Sequence, residues 1–294
     1  HNLKKHFIDV CNRTQGFVPG INVVLNIVSG ELEDQLDFLA AVKALAIHIE
    51  AVELGDEFHS PNRANVDSKF PNGTFFASYA AEWARAIKQR FPGVPVMVPA
   101  RRQDAQADPP GTRQALWTQQ LLAGLTADDR GARGVDSVCM HPYWTSGCGV
   151  PGYSRNGFWG NVSVQQEQWT ALGTEAGVGS ALANVVSAQQ NDVLKYIHNF
   201  STPGSGSGLG FAGLSLRVTE MNVQDYSGPI KYTWIHALQV AASQIVLSSS
   251  PIVTETLHFD VDGCCGFAAI FTPQGSPDYF RSRLVAPLSA DIIV

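Results

Sequence analysis

Two glutamates in this chain sit where their type and surroundings suit acid and nucleophile chemistry. One closes the run Val52-Glu53-Leu54-Gly55-Asp56-Glu57, and the other lies in Leu216-Arg217-Val218-Thr219-Glu220-Met221-Asn222. Hydrolysing an acetal needs one carboxyl group to protonate the leaving oxygen and another to attack or stabilise the oxocarbenium-like centre. Glu57 and Glu220 have the right chemistry for that pair. A strand-end glutamate taken alone is more often a surface residue or an ion-pair partner. Two of them in matching motifs at matching strand ends favour an active-site origin.

The elements that must position them follow from hydrophobic periodicity. Ile21 to Asn26 is a short β-branched run that reads as a buried strand. From Glu31 to Ala46, apolar residues at Leu32, Leu36, Leu39, Val42 and Leu45 recur every three or four positions, as one face of a helix does. The alternation continues with a strand at His48 to Leu54 and a helix at Thr74 to Phe91, opened by Asn72-Gly73 and closed before Pro92-Gly93. Then follow a strand at Val94 to Pro99, a helix at Arg113 to Leu125 and a strand at Ser137 to His141. A loop rich in Gly, Ser and aromatic residues spans Trp144 to Gly160, a helix runs from about Ser180 to Phe200, and Thr202 to Gly208 is a flexible loop. A strand at Leu214 to Thr219, a helix at Ile230 to Ser249 and a strand at Glu255 to Asp260 complete the pattern.

Six buried strands alternating with helices predict an α/β fold with a parallel sheet. No GxGxxG phosphate loop follows a strand, so a (β/α)8 TIM barrel is preferred to a doubly wound open sheet and its nucleotide chemistry. The barrel is two strands short. Its active site would lie at the C-terminal strand ends, where this reading puts both glutamates.

The 294 residues are 45% hydrophobic and 16% charged, with a formal net charge of −6. That composition excludes a disordered chain and disfavours a basic nucleic-acid binder. The longest apolar stretch, Phe38 to Ile49, is broken by Lys43 and His48, short of the roughly 20 residues that cross a bilayer. No CxxC pair suggests a metal site, and no motif asks for a cofactor. Sequons at Asn12, Asn72, Asn161 and Asn199 point to a glycosylating route and a secreted, extracellular protein. Disulfides are expected in that compartment, although five cysteines leave one over. The pairing stays open: Cys139 with Cys148, and Cys11 with Cys264 or Cys265, is one of several arrangements.

The motifs together resemble retaining glycosidases of the large TIM-barrel clan. Glu53-Leu54-Gly55-Asp56-Glu57 resembles the strand-4 motif that ends in Gly-Asn-Glu, and Thr219-Glu220-Met221-Asn222 resembles the strand-7 nucleophile motif. The strongest likeness is to heparanase and the β-glucuronidases of glycoside hydrolase family 79. Two further stretches carry it: Leu25-Asn26, and Ser137 to Tyr143 with its His-Pro-Tyr end. The resemblance implies a general acid/base at Glu57 and a nucleophile at Glu220, with carboxyls ~5–5.5 Å apart. It implies sugar contacts from Asn26, Asp56, His141 and Tyr143, and more loosely His258. The expected partner is a carbohydrate, a polysaccharide or glycoconjugate that includes uronic acids.

One position departs from the family. Asp56 stands where an asparagine donates a hydrogen bond to the sugar 2-hydroxyl, and an ionised Asp only accepts. Its charge also tends to raise the pKa of Glu57. An inactive barrel serving as an extracellular structural or glycan-binding protein is therefore the alternative. Numbering Glu57 as the end of strand 4 makes residues 1–294 a single incomplete barrel domain of strands 3 to 8. The first two βα units would then lie before His1, or another chain or segment would complete the barrel.

Overall fold

The computed structural model describes residues 20–60, 64–101, 109–126, 134–145, 214–224 and 234–258. The helix expected near 180–200, the 202–208 loop, the sequons at Asn12, Asn161 and Asn199, and Cys11, Cys148, Cys264 and Cys265 lie outside those residues. The chain divides into two compact units, and the change from one to the other falls after Cys139.

In the first unit, strands β1 (Ile21–Leu25), β2 (Ile49–Leu54), β3 (Val96–Pro99) and β4 (Ser137–Met140, through Cys139) pair in that order, all parallel. Between them run α1 (Leu32–Ala44), the short α2 (Ala64–Lys69), α3 (Gly73–Arg90) and α4 (Arg113–Thr126). The register Val52 to Val96, and Val98 to Val138, aligns β-branched residues on one face of the sheet, which is almost fully buried. Leu36, Leu39 and Val42 of α1, and Phe76, Ala80, Trp83 and Ile87 of α3, are the matching buried helix stripes.

Helix α3 begins where the sequence says it should. Asn72 takes an extended conformation and its Oδ1 accepts from the N–H of Phe75 at 2.8 Å, a side-chain N-cap. Its neighbour α4 approaches closely because Gly124 has no β-carbon; one placed there would stand 2.6 Å from the Cβ of Ala77.

The opposite face of this sheet has a different composition. It carries Ala51 and Glu53 from β2, Met97 from β3, and Ser137 and Cys139 from β4, none of them β-branched. Glu53, Ser137 and Cys139 are buried there. The Cys139 thiol is held well above the ordinary thiol range, first by burial and then by the charge of Glu53, to which it donates a hydrogen bond. Cys139 is an unoxidised thiol, which corrects the pairing with Cys148 considered above.

In the second unit, β6 (Ser215–Gln224) pairs in parallel with β7 (Val253–His258) on one side and with β5 (Tyr143–Thr145) on the other, and α5 (Trp234–Ser248) connects β6 to β7. Between β6 and β7 an ion pair joins Arg217 Nη1 to Glu255 Oε2 at 2.8 Å, with both side chains largely buried. Arg217 and Glu255 are also register partners, so the pair fixes the alignment of the two strands.

Three expectations need correction. Strand β6 does not end at Thr219 but runs on to Gln224, because β5 supplies a second ladder for Asn222 to Gln224. That same pairing turns Tyr143–Thr145, expected to open a loop from Trp144, into a strand, so the described residues hold seven strands rather than six. The short helix α2 was hidden among the polar residues after Pro61, where apolar periodicity is weak. Overall, the fold is α/β with parallel strands in both units.

Candidate active site

In the first unit the candidate residues Asp56 and Glu57 sit on the turn that leaves β2. Gly55 (φ +84°) and Glu57 (φ +44°) both occupy the left-handed region, which is ordinary for glycine and costly for glutamate. Among the described residues the other non-glycine residue there, Ala46, closes the end of α1, where its N–H bonds the carbonyl of Lys43. Glu57 ends no helix. What holds it is the next residue: Phe58 is 3% exposed, and its ring lies 5.1 Å from Phe70 and 5.4 Å from Phe76. Burying a phenylalanine ring contributes about 1.5–3 kcal/mol, enough to offset the ~1–3 kcal/mol of a left-handed non-glycine residue. The turn closes with the N–H of Ser60 on the Glu57 carbonyl at 2.9 Å and the Ser60 hydroxyl 3.4 Å from Glu57 Oε2.

Beside this turn opens a groove of about 560 Å³, lined by Asn26, Gly55, Asp56 and Asn65 among apolar residues of β1, Phe58 and α2. It brings together two of the expected sugar contacts, Asn26 and Asp56. The Asn26 side chain is already engaged locally: its Oδ1 accepts from Ser29 N at 3.1 Å and its Nδ2 donates to Ser29 Oγ at 2.9 Å. Asn26 therefore shapes the wall of the groove through the turn it caps.

In the second unit Glu220 stands on a β-bulge. Val218 faces Thr256 and Met221 faces His258, so β6 carries one residue more than β7 over that span. The bulge, not a strand end, sets the direction of Glu220, which corrects the position expected from sequence. His141 completes the arrangement: its Nδ1 is 3.7 Å from Glu220 Oε2, and its Nε2 is 3.1 Å from the Thr219 hydroxyl. The imidazole side chain is only 6% exposed and the Glu220 side chain 28%. A carboxylate so placed keeps one side open while a polar ring fixes the other. Backbone registers put Tyr143 opposite Asn222 and His258 opposite Met221, both within two residues of Glu220 along the strand ladders.

Sequence reasoning passed over two residues of these settings. Glu53 is a buried carboxylate in the strand that carries Glu57, and a glutamate inside a strand covered on both faces is itself the signal. Thr219 was quoted only as part of a motif.

No protein-family model matches the chain, and no curated protein matches its sequence. Solved structures do. It is similar to a GH51 alpha-L-arabinofuranosidase from Thermotoga petrophila, with TM-score 0.52 and 14% identity over 96% of this chain and 51% of that one. A family 51 alpha-L-arabinofuranosidase from Bifidobacterium longum gives TM-score 0.53 and 13% identity, covering 97% of this chain and 55% of the other. An alpha-L-arabinofuranosidase from Thermotoga maritima gives 0.51 and 14%, with 97% and 52% covered. The chain thus spans about half the length of these proteins. At such identities the likeness is one of fold alone, an α/β fold of parallel strands.

Proposed function

We propose that the chain carries the catalytic residues of a retaining β-glycosidase, with Glu220 as nucleophile and Glu57 as general acid/base. Glu220 attacks the anomeric carbon while Glu57 protonates the leaving oxygen. Water, deprotonated by Glu57, then releases the sugar from the Glu220 ester. The observation that carries this reading is the bulge of β6, which holds Glu220 beside a nearly buried histidine. The left-handed backbone at Glu57 supports it, because strain of that kind persists where the surroundings enforce it and concentrates at active sites.

The substrate is a polysaccharide or glycoconjugate outside the cell, and the family 79 motifs favour one containing uronic acid. The groove beside Asp56 and Asn26 is wide enough for a sugar ring and offers polar groups on an apolar wall. Asp56 favours a second reading, a barrel that binds glycan without turnover. The two part company in one assay. Glu57→Gln and Glu220→Gln should each abolish hydrolysis of an aryl glycoside that the unaltered chain cleaves; an unchanged rate in either variant removes that residue from the mechanism.

A further inference from the structure

We infer that Phe75 is the seat of an N-linked glycan carried by Asn72, whose first sugar lies over the exposed phenyl ring. This site stands or falls apart from the roles of Glu57 and Glu220.

The cap of α3 divides the Asn72 amide between two tasks. Its Oδ1 accepts from the Phe75 N–H at 2.8 Å, and among the described residues its Nδ2 has no hydrogen-bond partner. Asn72-Gly73-Thr74 is a sequon, and Nδ2 is the atom that such a site modifies. Transfer from a lipid-linked oligosaccharide diphosphate forms the Nδ2–C1 bond and breaks the C1–O bond. The diphosphate leaves with the bonding pair and one amide proton goes to solvent. Oδ1 is untouched, so the cap survives the modification. The side toward α4 is closed, because Gln120 accepts from the Gly73 N–H through Oε1 at 3.2 Å and from the Thr74 hydroxyl through its carbonyl at 3.3 Å. The sugar is therefore added before α4 docks, and it is left with the solvent face of α3. On that face Phe75 is 54% exposed, next to a fully buried Phe76, and one or two turns on it is followed by exposed Ser78 and Glu82. A single exposed aromatic needs no explanation by itself. This one stands three residues after the glycan acceptor, the spacing that brings side chains on a helix within about 5–6 Å. A pyranose presents an apolar C–H face, and laying it on the ring takes apolar area of both out of water.

The test uses the full chain from a glycosylating host, trimmed by endoglycosidase to one N-acetylglucosamine at each occupied site. Peptide mapping should find that sugar on Asn72. In the proton–carbon spectrum, the sugar signals lost in Asn72→Asp should be displaced upfield by the phenyl ring current. They should return to ordinary positions in Phe75→Ser and stay displaced in Phe75→Tyr. Asn72→Asp should also lower the thermal midpoint by about 2–4 °C, and by under about 1 °C in a Phe75→Ser background. The same substitution in chain from a non-glycosylating host is subtracted in each case, which removes any change in the cap. An unoccupied Asn72, or sugar signals that Phe75→Ser leaves unmoved, overturns the inference. So does an equal midpoint change in both backgrounds.

Discussion

The ring of Phe58 occupies the space that a β-carbon on Gly55 would take, and between these two residues the chain turns out of β2 to present Asp56 and Glu57. The aromatic cluster under the turn thus dictates the glycine of the motif as well as the left-handed backbone of Glu57. Gly55→Ala would force a β-carbon into a left-handed residue and into the ring together. It should cost about 2–4 kcal/mol, from backbone strain and overpacking combined. Urea denaturation with an unchanged m-value checks this; a loss under 0.5 kcal/mol would mean the turn relaxes freely.

Cys139 and Glu53 give a prediction in pH. The folded state holds the Cys139 thiol protonated well above the range in which the unfolded chain releases it. Below that range both states keep the proton, so the stabilising contribution is complete. As pH rises past about 9, the unfolded chain binds fewer protons than the folded one, and stability falls by about 1.4 kcal/mol per pH unit until the folded thiol titrates. Cys139→Ala should remove this component. The difference between the two chains, measured by denaturation from pH 7 to 10, should grow with pH in favour of the alanine variant.

Asp56 separates a working site from a weakened one. Asp56→Asn restores a donor toward a sugar 2-hydroxyl, a hydrogen bond whose net contribution is about 1 kcal/mol. The variant should raise kcat/KM up to about tenfold on an aryl glycoside and leave the matching 2-deoxy substrate unchanged. Equal effects on both would show that Asp56 acts elsewhere in the groove.

Asn72 is both a sequon residue and the cap of α3, and the two roles come apart by substitution. Asn72→Ala should cost about 1 kcal/mol through the lost cap, whereas Asn72→Asp keeps an acceptor for Phe75 N–H and removes the sequon. Thermal denaturation reads the cap, and intact mass after expression in a glycosylating host reads the glycan.

Much of this was legible in the sequence, for physical reasons that differ by element. Helix α3 was readable because Asn72, its buried stripe and Pro92-Gly93 all say the same thing at the same place. Strands β1 to β4 were readable because each is a short run with valine or isoleucine on its buried face, bounded by helical sequence. Strand β5 was not, since Tyr143 to Thr145 is extended by pairing with β6 and has no apolar pattern of its own. Glu220 was found by its motif but misplaced at a strand end, because a bulge is a mismatch between two strands and neither sequence contains it. The contact of Thr219 with His141 depends on that bulge and was out of reach for the same reason.

The central claim is that Glu220 is the nucleophile, and trapping the glycosyl ester tests it most directly. Activated 2-fluoro glycosides of several sugar configurations should inactivate the chain in step with a single added sugar mass. Peptide mapping should place that mass on Glu220, and Glu220→Gln should take up none. Label on Glu57 or another carboxylate, or hydrolysis by the unaltered chain that survives Glu220→Gln, would contradict the account.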